Sequence, residues 1–244
     1  MFLKSLLTVS VALAVSSAHA NEYVIEKLAK PSSQQVALTL DPAKDNFSGH
    51  TEIALEVLKA TNYIELNGID YAVSMAKILG AENCDLSAEM LKTGKVKFAC
   101  EEKIQPGKYT LKVDYTAPYN RQSVGLYKTL DQGTPYLFTQ FEMSDARRAF
   151  PVFDEPSYKI PFQLTITAPT SQKVYANTPV LKTKVDGDMT THFFDKTPPI
   201  PSYLVAMAVG PFEELEIKGM PIPGRVVTPQ GKIHLADYAK ENMP

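Results

Sequence analysis

One stretch of the sequence interleaves charged and aromatic side chains: Thr139-Gln140-Phe141-Glu142-Met143-Ser144-Asp145-Ala146-Arg147-Arg148-Ala149-Phe150-Pro151-Val152-Phe153-Asp154-Glu155-Pro156. Gln140 and Glu142 are two residues apart, so on a strand they share a face. A carboxylate and an amide on one face can clamp a cation, the carboxylate through a charge-assisted hydrogen bond. A second arrangement stays open, in which Glu142 pairs with Arg147 or Arg148 in an internal network.

Other chemistry is sparse. The histidines are His19, His50, His192 and His234, and none is followed by Glu. The His-Glu-x-x-His helix, which sets two zinc ligands and a general base on one face, is therefore missing. His50, His192 and His234 read as surface or strand residues rather than ligands. There is no Gly-x-Ser-x-Gly elbow, P-loop or dinucleotide fingerprint. Cys84 and Cys100 flank Gly94-Lys95, a turn between two expected strands. A disulfide across that hairpin closes a loop of about 15 residues, worth roughly 3 kcal/mol. The alternative is two unpaired thiols, one of them buried in a strand. Neither cysteine sits in a motif with a histidine.

The elements that must position these residues read mainly as strands. Val36, Leu38 and Leu40 alternate with polar neighbours, as do Ile53, Leu55 and Val57. Tyr63 to Leu66 is a short strand closed by Asn67-Gly68, and Val96 to Phe98 and Tyr109 to Tyr115 alternate further on. Pro106-Gly107 makes the turn before the latter. Phe162 to Thr167 alternates between Pro161 and Pro169. Tyr203-Leu204-Val205-Ala206-Met207-Ala208-Val209 is nearly all apolar and reads as a strand buried on both faces. Eighteen prolines and frequent turn clusters favour an all-β antiparallel sandwich or open barrel over βαβ units. Only Ile233 to Asn242 has helical composition.

Residues 1–20 stand apart. Lys4 precedes the apolar run Leu6 to Val15, and Ala18-His19-Ala20 offers a small-residue cleavage site. That is the build of a secretory signal peptide, and the run is too short to span a bilayer. Periplasmic or secreted localisation follows, in which a disulfide is permitted. No later stretch is apolar enough to cross a membrane. The chain of 244 residues suits one large or two small domains, and 44% hydrophobic with 21% charged residues is an ordinary globular balance that can build a core. The net charge of −2 and the lack of any basic run give a nucleic-acid partner no electrostatic support. A Gly/Pro cluster at Gly219, Pro221, Pro223 and Gly224 marks a boundary.

Several segments in order resemble the amino-terminal domain of M1-family zinc aminopeptidases. They are Leu40-Asp41-Pro42, Phe47-x-Gly49 with Ile53 and Leu55, Pro106 to Leu111 with Tyr115, Gly125-Leu126-Tyr127, the stretch from Thr139 to Pro156, Ala176-Asn177-Thr178-Pro179, and Thr197 to Ala206 with Val209-Gly210-Pro211-Phe212. The resemblance implies a saddle-like β-sandwich over residues 21–220, with residues 221–244 opening a thermolysin-like catalytic domain. It implies that Glu142 binds the free α-amino group of a peptide substrate and that Gln140 contacts the substrate's amino-terminal residue. Arg147, Arg148, Asp154 and Glu155 would hold the loop that presents Glu142. Zinc is implied as the family's cofactor, but its ligands, the Gly-x-Met-Glu-Asn loop and the oxyanion tyrosine are absent from these residues. The expected partners are a peptide with a free amino terminus and the missing catalytic domain, and the chain alone is expected to be inactive. The other function in view is a non-catalytic secreted β-domain that binds peptides or proteins. A carbohydrate-binding sandwich is disfavoured by the lack of any Trp.

Overall fold

The computed structural model describes residues 23–82 and 84–243. The expected signal peptide lies outside them. In chain order the strands are β1 (Ala29–Thr39), β2 (Asn46–Val57), β3 (Thr61–Asn67), β4 (Ala72–Leu79), β5 (Ser87–Leu91), β6 (Lys95–Ile104), β7 (Gly107–Pro118) and β8 (Gly125–Asp131). Then come β9 (Thr134–Gln140), β10 (Phe162–Pro169), β11 (Lys173–Ala176), β12 (Val180–Asp186), β13 (Met189–Lys196), β14 (Met207–Gly210), β15 (Phe212–Ile217) and β16 (Gly224–Pro229). Short 3-10 helices occupy Ala146–Arg148, Ser202–Leu204 and Ile233–Ala236, and α1 (Asp237–Asn242) follows the last of them.

The fold is all-β. A seven-stranded sheet runs β12-β13-β10-β1-β2-β7-β4, beside a four-stranded sheet β11-β14-β9-β8, a three-stranded sheet β3-β6-β5 and the hairpin β15-β16. The strands pair antiparallel except β1 with β10, which run parallel with Gln34 opposite Phe162. The expectation of an antiparallel sandwich therefore gains one parallel pair, formed because β10 returns to β1 from far along the chain instead of through a hairpin.

Alternation explains the core. Val36 and Leu38 of β1, Ile53 and Leu55 of β2, Leu111 and Val113 of β7, and Leu164 and Ile166 of β10 are all buried. They form one contiguous cluster with Ile64, Leu66, Val96 and Phe98 of the three-stranded sheet and Leu126, Leu137 and Val209 of the four-stranded one. The opposite face of β2 carries the half-buried His50 and Glu52. His50 lies between Asp114 and Glu52, and Glu52 also takes Lys112 at 2.6 Å. His50 is thus a strand residue in a surface ion-pair group.

One reading of the sequence needs correction. Residues 203–209 are not one strand. Ser202–Leu204 is a 3-10 helix and only Met207–Gly210 is β14, while Leu204 is exposed rather than buried. Pro199 and Pro201 just upstream cannot donate to a ladder, so pairing starts late. The Gly/Pro cluster at 219–224 forms the turn of the β15–β16 hairpin, in which Phe212 faces Pro229 and Ile217 faces Gly224. Cys84 and Cys100 are joined in a disulfide, with Cα atoms 5.3 Å apart. Among the described residues no helix is long and apolar enough to cross a membrane.

Candidate functional site

The β8–β9 hairpin delivers the candidate site to the end of the four-stranded sheet. Its turn residues Gln132 and Gly133 both have positive φ, as a tight two-residue hairpin requires. β9 stops at Gln140. Phe141 is buried and packs edge-on against Phe150, with ring centroids 5.8 Å apart. Burial of Phe141 sends Gln140 before it and Glu142 after it toward solvent, and both are exposed. The expectation that the two share a strand face holds only for alternation about Phe141, because Glu142 lies in the turn beyond the strand. That turn is closed by the Asp145 amide, which donates to the Phe141 carbonyl at 2.9 Å.

The internal-network alternative for Glu142 is not what forms. The Arg147 Nε donates to Asp154 Oδ2 at 2.9 Å, and Arg148 Nε donates to Asp145 Oδ1 at 2.8 Å. Among the described residues, no ion pair and no side-chain hydrogen bond involves Glu142 or Gln140. A carboxylate and an amide two residues apart are thus both exposed, with no side-chain partner among the described residues.

The surrounding charges build the platform. Asp154 is buried, and three separate elements meet at it. Arg147 reaches its carboxylate and, through Nη2, its carbonyl at 3.2 Å. The Ser202 hydroxyl donates to Oδ1, and the Asp154 amide donates to Asn67 Oδ1 at 2.9 Å. A buried carboxylate satisfied at this many points fixes geometry, whereas losing one partner would leave charge uncompensated. Glu155 Oε1 accepts from the Ile25 amide at 3.1 Å. The hydroxyls of Tyr71 and Tyr115 donate to the carbonyls of Arg147 and Ala149. Burial pushes both phenols well above their ordinary pKa, so they stay neutral donors.

Two motif glycines have a steric reason. A Cβ on Gly49 would lie 2.3 Å from Cζ of Tyr115, and one on Gly125, at φ +69°, would lie 2.8 Å from Cβ of Arg148. Gly49 lets Tyr115 reach the Ala149 carbonyl, and Gly125 lets Arg148 lie across β8. Sequence reasoning missed the Asp154 partners Ser202 and Asn67. Their only signal is an isolated Asn or Ser beside a strand end or turn, which is too common to single out.

No zinc site is formed by these residues. Among the described residues no three His, Cys, Asp or Glu side chains converge as metal ligands. The residues present do not fit the ion that the resemblance implies.

The sequence is similar to known proteins along most of its length. The profile of the family described as Peptidase M1 N-terminal domain matches residues 30–204. Aminopeptidase M1-B of Oryza sativa subsp. japonica is 30% identical over 223 residues, covering 88% of this chain and 25% of the relative. Aminopeptidase 2 of Candida albicans is 32% identical over 210 residues, covering 83% of this chain and 23% of the relative. Aminopeptidase N of Acetobacter pasteurianus is 27% identical over 222 residues, which is 88% of this chain and 62% of that protein. The chain thus spans about a quarter of the length of the first two. The matched span contains both the exposed pair Gln140 and Glu142 and the Asp154 platform beneath them, and the chain belongs to the Peptidase M1 N-terminal domain family.

Proposed function

We propose that this chain is the amine-recognising amino-terminal part of a periplasmic or secreted zinc aminopeptidase. Glu142 accepts hydrogen bonds from the free α-ammonium group of a peptide, and Gln140 contacts the first residue. Residues 221–244 open the catalytic domain, and the metal ligands come from polypeptide beyond these residues. The observation that carries the reading is Glu142: exposed, without an ion-pair or side-chain hydrogen-bond partner among the described residues, on a turn next to the part-buried Arg147–Asp154 ion pair. An ammonium matches it because a charge-assisted bond is roughly twice as strong as a neutral one. Peptides with a blocked amine leave the carboxylate unpaired and are rejected by that omission.

The test is an NMR titration of the chain with L-leucinamide and with N-acetyl-L-leucinamide. Leucinamide should shift the amides of residues 140–143 with millimolar affinity, and the acetylated compound should not. Glu142→Gln should weaken leucinamide binding by about tenfold, the loss of one charged partner. Equal shifts with both compounds, or unchanged affinity in the variant, would refute the assignment.

A further inference from the structure

The loop from β7 to β8 and the loop after β3 meet at a cavity of about 370 Å³ that the proposed amine site does not use. Asp70, Tyr119, Asn120, Arg121, Gln122 and Arg148 line it. Its walls are held by bonds of their own. The Tyr119 hydroxyl accepts from the Asp41 amide at 3.0 Å, and the Tyr119 amide donates to the Asp45 carbonyl at 3.0 Å. The Asn120 amide donates to the Leu126 carbonyl at 2.9 Å, and Asn120 Oδ1 accepts from the Gln122 amide at 2.9 Å. The Ile69 amide, next to Asp70, donates to the Arg147 carbonyl at 3.0 Å and ties its loop to the 3-10 helix that carries Arg148.

The chemistry of this lining is one-sided. Among the described residues, Arg121 forms no ion pair and no side-chain hydrogen bond. Arg148 gives only its Nε, to Asp145 Oδ1 at 2.8 Å, and both of its Nη nitrogens stay open. Asn120 uses its side-chain oxygen on Gln122 and keeps its amide nitrogen. The one carboxylate in the lining, Asp70, is exposed. Donors thus outnumber acceptors, and two guanidinium groups meet one carboxylate. Guanidinium forks match phosphate oxygens in geometry. A phosphate group carries roughly −1.5 to −2 charges at neutral pH, so it answers two arginines where a carboxylate answers one.

Arg148 also links this cavity to the turn that carries Glu142. Its Nε holds Asp145, and the Asp145 amide closes that turn on the Phe141 carbonyl at 2.9 Å. An anion on the Nη nitrogens fixes Arg148 without displacing Asp145, so the turn gains order. We infer that this cavity binds a phosphate-class oxyanion and that the bound anion, acting through Arg148 and Asp145, favours amine binding at Glu142. The second half rests on the reading of Glu142 given above, and the first half does not.

The experiment is an NMR titration of the chain with inorganic phosphate, with ionic strength held constant by sodium chloride so that screening does not change. Phosphate should shift the amides of residues 120–122 and 145–148, and chloride alone should not. Arg121→Gln, at an exposed position, should weaken phosphate binding about tenfold, the loss of one charged partner. Asp70 has φ +62°, which Asn also tolerates, so Asp70→Asn should fold and tighten phosphate roughly threefold by removing an exposed repulsion. Glycerol phosphate separates the sources: tighter binding than inorganic phosphate assigns the group to an ester, and weaker binding assigns it to the free ion. Saturating phosphate should tighten L-leucinamide binding about fivefold, and leucinamide should tighten phosphate by the same factor. Shifts reproduced by chloride, or unchanged affinity in both variants, would mean an adventitious ion only and overturn the site. Unchanged leucinamide affinity in phosphate would overturn the coupling and leave the role of Glu142 standing. Equal binding of leucinamide and its acetylated form would refute the Glu142 reading, and with it the coupling, while the phosphate shifts still decide the cavity.

Discussion

At the scale of single residues, the platform depends on a glycine that touches no ligand. Gly49 on β2 faces Tyr115 on β7, and a Cβ there would lie within 2.3 Å of the ring. Tyr115 cannot retreat, because it is buried and its hydroxyl donates to the Ala149 carbonyl at 2.8 Å. Gly49→Ala should therefore destabilise the domain by about 1–3 kcal/mol, the usual cost of overpacking a filled core. Urea unfolding measures this. A change under about 0.5 kcal/mol, the range of neutral surface substitutions, would show that the ring moves freely. Gly49 and Tyr115 each stand out in the sequence as parts of separate strand patterns. What the sequence cannot display is that they meet, because the contact depends on the register of two strands far apart in the chain.

At the scale of elements, β5 is a weakly buried strand. Its residues are exposed apart from the half-buried Leu91, so apolar burial holds it little. It stays through pairing with β6 and through the Cys84–Cys100 bridge just upstream, which spans 16 residues. Replacing both cysteines by serine should cost about 3 kcal/mol in thermal or urea unfolding, as expected for a loop of this size. Hydrogen exchange should rise first in β5. Unchanged stability with unchanged exchange would mean that hairpin pairing alone suffices. The same physics decides what could be read from the sequence. β1, β2, β7 and β10 alternate because one face is buried, and their periodicity is plain. β12 is exposed along its whole length at the sheet edge, so no burial pattern marks it. Residues 203–206 misled in the opposite way. Their apolar composition suggested a buried strand, yet side-chain clamps from Asn177 and a 3-10 turn, not composition, set their path. For the site, Gln140 and Glu142 were legible as a pair. The polar residues that hold the neighbouring loops were not, because each acts through a contact distant in sequence.

At the scale of the whole molecule, the terminal helical segment carries large apolar side chains that are exposed. Leu235 and Tyr238 are 67% and 78% exposed on the terminal helical segment, while Ala236 between them is buried. That segment is fastened to the β8–β9 turn by the ion pair of Lys232 with Asp131, and Leu130, next to Asp131, is 65% exposed. The Ile233 amide donates to Glu213 Oε2 at 3.2 Å, which docks the segment on β15 as well. Large side chains are thus held outward on an anchored support. Scattered exposed leucines are common, and it is a contiguous group of them that marks an interaction surface. In the proposed function that surface meets the catalytic part of a longer polypeptide. The chain by itself should then self-associate at tens of micromolar and bind an apolar dye. Leu235→Glu with Tyr238→Glu should return it to a monomer in sedimentation velocity without lowering its unfolding midpoint, because neither side chain is buried. A wild-type chain that stays monomeric and dye-free at 100 micromolar, a concentration chosen to be about tenfold above where such weak apolar contacts become populated, would show that these side chains are merely solvated and that the partner docks elsewhere.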